Sequence, residues 1–180
     1  GLPRKDPNSK IEINGFAANW YGLPVTSRKI VILDLSRPML TCDLLSDLPL
    51  TKLNGLMGSK NLQFKQGSAT MQMTYSGPLA RNNNTNSFIN GVISFKDASI
   101  VYVPRNVEMT KLVGRLVFKN SDAYVENIRC VVFNNDITMQ GQAKNLLTLI
   151  NTQPDKANID FNIYTSSLHL DAFLYLLRSR

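Results

Sequence analysis

The sequence is short of the residues that usually carry chemistry. It has one histidine, His169, and two cysteines, Cys42 and Cys130, in 180 residues. A lone histidine between Leu168 and Leu170 has no second His or Cys at ligand spacing, so nothing in the pattern points to a metal site. The chain holds no Gly-x-Ser-x-Gly elbow and no glycine-rich phosphate loop of either common type, which removes the usual hydrolase and nucleotide-binding signatures. One cysteine pair is no disulfide framework. Two buried thiols are the default reading, with a Cys42–Cys130 bridge as the alternative. Charge is sparse as well, at 18% Asp, Glu, Lys and Arg, and no apolar run approaches the roughly 20 residues of a membrane helix. No signal peptide is recognisable, and the chain starts mid-pattern, so it reads as a piece of a longer protein whose anchor or export signal lies elsewhere.

What the chain does have is apolar residues, 43% of the total, and alternation. The stretches 69–75, 137–143 and 158–163 alternate apolar or small residues with polar ones, the pattern of a strand with one dry and one wet face. Further strands are expected over 11–18, 29–36, 61–66, 91–95, 98–103, 112–118, 123–127 and 129–133, separated by turn signals such as Asn90-Gly91 and Asn134-Asn-Asp136. The segment 81–86 reads as a polar loop. Helix is a minor component: two short helices over 42–57 broken at Pro49, with Thr41 as a cap, one or two turns at 145–150, and a terminal helix over 170–178. The expected fold is mainly β, a curved antiparallel sheet forming an open apolar groove, with two or three short helices.

Part of the pattern recurs. Ile11, Gly15, Ala17 and Asn19 are matched in order by Ile137, Gly141, Ala143 and Asn145. Val31, Leu33 and Leu35 followed by Leu40, Asp43 and Leu48 are matched by Ile159, Phe161 and Ile163 followed by Leu168, Asp171 and Leu176. Two matched blocks in one order predict a repeated unit, with residues 1–57 the tail of one unit and 58–180 most of the next. Asp43 and Asp171 then stand at equivalent positions, as turn or helix-start residues rather than an acid–base pair.

Seven Lys and Arg in excess make the chain basic, but they are scattered and form no run longer than two. The aromatic residues sit among aliphatic ones rather than among cations, so no nucleic-acid platform is expected. Trp20 and Tyr21, beside Gly22-Leu23-Pro24, form either an exposed aromatic pair or a turn packed on the sheet edge. The feature left is the apolar sheet face. Its expected lining comprises Ile13, Val31, Leu33, Leu35, Met71 and Met73, then Phe95, Leu116 and Phe118, then Met139, Ile159, Phe161 and Ile163. Methionine suits such a surface, being soft and adaptable.

Several stretches resemble the AsmA-like proteins of Gram-negative envelopes: residues 88–104 (FINGVISFKDASIVYVP), 112–118 (LVGRLVF), Val125-Glu126-Asn127, 141–147 (GQAKNLL) and 74–79 (TYSGPL). The resemblance covers about residues 60–180, and its motifs are strands and turns with no catalytic residue. It implies a long periplasmic β-structure anchored in the inner membrane by a segment outside this chain, related to TamB-like and bridge-like lipid-transfer proteins. It implies a non-enzymatic role without cofactor: handling phospholipid or other acyl-chain lipid between membranes and sustaining the outer membrane, with envelope proteins as further partners. The alternative reading is an interaction or scaffold module assisting outer-membrane protein assembly through its strand edges.

Overall fold

A computed structural model of the chain describes residues 9–20, 22–57, 60–79, 87–120, 122–145, 158–166, 171 and 174. Nine strands form one antiparallel sheet in which spatial order equals chain order. They are β1 (Lys10–Trp20), β2 (Leu23–Leu33), β3 (Met39–Pro49), β4 (Leu62–Pro78), β5 (Phe88–Tyr102), β6 (Val107–Asn120), β7 (Asp122–Val132), β8 (Asn135–Ala143) and β9 (Ile159–Thr165). The sheet is open and curved, and β1 and β9 are its two edges. Between β3 and β4 lie a 3-10 turn (Leu50–Lys52) and the short helix α1 (Leu53–Met57).

Tight connections explain the meander. Gly22 takes φ 84° in the β1–β2 turn, and its N–H donates to Asn19 Oδ1 at 2.7 Å. Phe133 and Asn134 both adopt positive φ between β7 and β8, as a two-residue hairpin turn requires. Asn135, fully buried, donates from Nδ2 to the carbonyls of Val132 and Phe133 and so ties the turn down.

The strands are fewer and longer than expected. Residues 91–95 and 98–103 lie on the single strand β5 apart from Val103, which starts a 3-10 turn, residues 123–127 and 129–133 lie on β7 apart from Phe133, and 61–66 and 69–75 join in β4 apart from Asn61. The breaks in alternation are β-bulges. The register shifts at Gln66–Ser68 in β4, at Phe95–Ala98 in β5, at Thr110–Val113 in β6 and at Val125–Ile128 in β7. Gly67, Asp97, Lys111 and Asn127 take positive φ at those places. A further shift lies between Thr26 and Ile30 in β2, beside Gly15 of β1 at φ 71°. Each bulge bends its strand and inverts the side-chain parity beyond it. Laid side by side, they form a line of bulges across the sheet, which accounts for its curvature.

The helices expected over 42–57 are largely strand. Cys42, Leu44, Ser46, Leu48 and Leu50 lie two apart, so the four-residue Leu44–Leu48 spacing satisfies a strand as well as a helix. Pro49 ends β3, where a missing N–H costs least. Thr41 lies within β3, its hydroxyl beside Ser76 Oγ at 3.3 Å, and caps no helix. The helical turns expected at 145–150 and 170–178, the loop at 81–86, and His169 fall wholly or mostly outside the described residues.

The expected repeat is not seen in the backbone. Gly15 has positive φ and open space around it, whereas Gly141 has neither and lies against the Asp160 carbonyl and the Phe161 ring. Ile13 pairs with Ile30, but Met139 pairs with Ile163, whose repeat counterpart is Leu35. Asp43 sits within a strand, whereas Asp171 is helical. Strands β3 and β4, on either side of the expected 57/58 division, pair from Met39–Pro78 to Pro49–Ser68, as neighbouring stacked units would.

Candidate functional site: the apolar face of the sheet

Residues directly opposite one another in an antiparallel sheet point to the same side. The register therefore gives the composition of each face. One row runs Ser46, Met71, Ile93, Leu116, Val125, Gly141, Phe161 from β3 to β9. A second runs Leu44, Met73, Gly91, Phe118, Ala123, Ala143. A third joins Leu48, Ala69, Phe95 and Gly114, beside Ile128, which pairs with Met139 and through it with Ile163. Rows on the other face read Thr74–Asn90–Lys119–Asp122 and Gln72–Val92–Val117–Tyr124–Gln142–Asp160. The sheet is thus two-sided, apolar on one face and mostly polar on the other.

Three glycines of the apolar face stand opposite phenylalanines: Gly91–Phe118, Gly114–Phe95 and Gly141–Phe161. A Cβ on Gly91 would fall 2.1 Å from the Gln72 carbonyl oxygen, so only glycine fits beside Met73. At Gly141 the Phe161 ring itself lies against the glycine, 2.7 Å from where a Cβ would stand.

The enclosed part of this face and its two edges differ. From the bulge line to the α1 end, Leu23, Leu48, Leu50, Phe64, Leu112, Ile128, Cys130, Val132 and Ile137 form one buried cluster, in which Leu50 is fully enclosed. Ile93, Phe95, Leu116, Val125 and Met139 are half-buried against it. On the edge strands the face is exposed: Ile13 on β1 is 41% exposed, and Phe161 and Ile163 on β9 are 51% and 63% exposed. Among the described residues no second layer of structure covers this part.

Most of the expected lining residues share that face: Ile13, Met71, Met73, Phe95, Leu116, Phe118, Met139, Phe161 and Ile163. The backbone of Ile159 pairs with Ala143 in the same row. Val31, Leu33 and Leu35 must be removed. Val31 pairs with Glu12 and Thr41, and Leu33 with Lys10 and Met39, on the polar side, while Leu35 lies in the β2–β3 turn. Ile30 and Ile32, paired with Cys42 and Leu40, take their place. The run Ile30-Val31-Ile32-Leu33 is apolar at every position, so alternation could not choose between its two faces. Ile93 and Val125 were missed, although their even spacing from Phe95 and Ala123 was available as a signal. For Trp20 only the backbone pairing with Leu23 is described, and Tyr21 lies outside the described residues, so the aromatic-pair reading is not addressed.

The polar face carries the charge pairs. The Asp43 carboxylate accepts from the Arg28 and Lys29 amides, from Ser27 Oγ and from Arg28 Nε, clamping the β2 bulge. Chiefly through the Arg28 side chain, and then the Lys29 amide, its pKa is held well below the usual carboxylate range. Lys29 and Lys10 lower Glu12 to about 2. Asp34 is lowered first by the Ser36 hydroxyl. Asp122 is lowered first by the Asn145 amide, then by Lys144. Burial pushes both thiols up, with the Asp43 charge adding to the effect at Cys42. Cys42 and Cys130 are free, and four strand spacings put them about 19 Å apart, far beyond the roughly 7 Å Cα limit of a disulfide.

No cluster of three potential metal ligands occurs among the described residues, and none of their helices is long and apolar enough to cross a membrane. No family model matches the chain, and neither a curated protein nor a solved structure matches it.

Proposed function

We propose that this chain is a non-enzymatic, lipid-handling part of a Gram-negative envelope protein of the AsmA type, and that its open apolar face is a groove for acyl chains. The observation that carries the reading is the apolar face of a nine-stranded sheet, enclosed near α1 and exposed along its edge strands at Ile13, Phe161 and Ile163. Exposed apolar surface of this extent on a folded chain is a liability unless something apolar occupies it. Acyl chains suit a shallow, glycine-floored face lined by Met71 and Met73, because methionine adapts to varied apolar shapes. The periplasmic setting and a membrane anchor outside the chain belong to the same reading and rest on the family resemblance.

A carboxylate on this face separates an open groove from a closed core. At an open position it stays hydrated when no ligand is present, whereas in hydrocarbon it costs several kcal/mol. Met73→Asp and Phe161→Asp are expected to lower stability by less than about 1 kcal/mol and to abolish binding of a fluorescent fatty acid, measured by denaturant unfolding and by titration. Severe destabilisation of both variants, or unchanged fatty-acid binding, defeats the groove.

A second reading draws on the unpaired edges β1 and β9. An edge strand offers a template for strand addition, which suits a module that assists outer-membrane protein assembly. Recovery of envelope proteins but not lipid with the intact chain, lost on proline substitution in β1, favours this reading over the first.

A further inference from the structure

The sequence contains three Asn-Gly pairs, Asn14-Gly15, Asn54-Gly55 and Asn90-Gly91. In such a pair the backbone nitrogen that follows the asparagine carries no neighbouring Cβ, so it approaches the side-chain amide with little steric hindrance. The fold puts the three pairs in different surroundings.

Asn54 lies in α1, and both ends of its amide are tied. Its Nδ2 donates to the Phe64 carbonyl at 2.8 Å, and its Oδ1 accepts from the Phe64 N–H at 2.8 Å. Gly55 has nothing within 4 Å of a Cβ position, so at this pair the protection comes from the side chain. Turning the Asn54 amide away would leave two backbone groups of the buried Phe64 without partners. Asn90 lies inside the sheet. It is paired with Thr74 on β4 and with Lys119 on β6, and its Oδ1 accepts from the Asn120 N–H at 3.0 Å. Gly91 is held between Met73 and Phe118, with Met73 Cα 2.7 Å from where a Cβ would stand.

Asn14 has none of these restraints. It lies on the edge strand β1, which has a neighbouring strand on the β2 side only. Its side chain is exposed and makes no hydrogen bond among the described residues. Asn14 pairs with Lys29 and Phe16 with Ser27, but Gly15 between them is left out of the pairing, at φ 71° with nothing within 4 Å of a Cβ position. Closing a ring between the two residues requires the backbone to rotate out of the extended strand. Such local opening is easiest at an edge where few contacts must be broken.

We propose that Asn14 is a selective site of spontaneous deamidation. The Gly15 nitrogen attacks Asn14 Cγ and gives up its proton. The new C–N bond closes a five-membered succinimide as the Cγ–Nδ2 bond breaks, and ammonia leaves with that proton. One water then opens the ring at either carbonyl. The products are aspartate and isoaspartate, the latter with the backbone running through the former side chain; no oxidant or reductant is needed. Either product places a carboxylate opposite Lys29, whose ammonium already pairs with Glu12 at 2.6 Å. Isoaspartate also lengthens the backbone of β1 by one carbon.

Incubation of the whole folded chain at mildly alkaline pH, followed by peptide mapping with mass spectrometry, reads the three sites in one sample. Asn14 is expected to convert at least about tenfold faster than Asn54 or Asn90, the equivalent of opening that is easier by about 1.4 kcal/mol. In unfolding urea the gap closes, because the surroundings that protect Asn54 and Asn90 are gone. Gly15→Ala slows conversion at Asn14 and leaves the other two sites as they were, since a Cβ then hinders the attacking nitrogen. Equal rates in the folded chain, a faster Asn54 or Asn90, a gap that persists undiminished in urea, or an Asn14 rate untouched by Gly15→Ala overturns the proposal.

Discussion

Two parts of the apolar face are built from the same residue types and end in opposite states. Near α1, Leu48, Leu50, Phe64 and Ile137 are buried almost completely, whereas on the edge strands β1 and β9 Ile13, Phe161 and Ile163 keep 41% to 63% of their surface. Hydrophobicity does not separate them, since both halves hold Leu, Ile, Met and Phe. Geometry does. The bulges at Gly67, Asp97, Lys111 and Asn127 bend neighbouring strands at one level, and the turn and helix between β3 and β4 place Leu50 and Leu53 against the half beyond that bend. The difference teaches that a single-layer sheet can make a core and an exposed apolar surface from one face, provided that its strands bend along a common line.

The largest expected effect breaks the closed half. Leu50→Ala removes a fully enclosed side chain from the cluster and is expected to cost about 2–5 kcal/mol, by loss of burial and by the cavity left behind. Phe161→Ala deletes a larger side chain from the open half and is expected to cost less than about 1 kcal/mol. Urea unfolding of both variants measures the contrast, and equal losses would mean that the face is sealed along its whole length.

The bend itself is the next target. A Cβ at Gly67 would lie 2.5 Å from Ala98 Cα and from the Asp97 carbonyl oxygen, at φ 94°. Gly67→Ala is expected to cost about 3 kcal/mol, combining backbone strain with overpacking against backbone atoms that cannot give way. Gly15→Ala, at φ 71° with nothing within 4 Å, meets the strain alone, about 1 kcal/mol. Unfolding midpoints of the pair test whether the bulge line is packed most tightly in the middle of the sheet.

The β architecture was legible in alternation, as at 69–75 and 137–143, because burying one face of a strand imposes a period of two. The bulges were not. Asp97, Lys111 and Asn127 are polar residues that interrupt the period for one step, and from sequence that is also what a turn does; only the neighbouring strand shows which occurred. The same ambiguity divided β4, β5 and β7 in the sequence reading and made β3 look helical. Of the candidate face, the residues within clean alternation were found, such as Met71, Met73, Met139 and Phe161. Val31 and Leu33 were misplaced because a continuous apolar run carries no facing information. The Gly15–Gly141 match came from similar strand composition, since the two glycines occupy different backbone conformations.

A smaller effect separates the open half by pH. Asp43 clamps the β2 bulge on the polar side and has a folded-state pKa below its ordinary value of 3.8. Its carboxylate therefore stabilises the fold fully above that value, and the contribution is lost as pH falls through 3.8 toward the lower folded value. Glu12 acts in the same sense between its ordinary 4.5 and about 2. The thermal midpoint is expected to drop between pH 5 and pH 3 in the parent and less steeply in Asp43→Asn, which starts lower at pH 7. Parallel curves for the two proteins would mean that the clamp does not titrate in this window.

The smallest effect is kinetic, and it compares the halves without changing either. Cys42 and Cys130 are almost equally hidden, at 5% and 4% exposure, and burial raises the pKa of both thiols. Static accessibility therefore predicts similar reactivity toward an aromatic disulfide reagent. Their surroundings differ. Cys130 belongs to the enclosed cluster with Val132 and Ile137, whereas Cys42 lies between Ile30 and Tyr75 in the open half, outside that cluster. Reaction of a buried thiol requires local opening, and opening is easier where fewer apolar neighbours must separate. If opening at Cys42 costs about 1.4 kcal/mol less, Cys42 reacts about tenfold faster than Cys130 at neutral pH. Following each site separately in Cys42→Ala and Cys130→Ala gives the two rates directly. Equal rates would mean that the whole sheet opens as one unit, so that the difference between its halves is one of exposure and not of local stability.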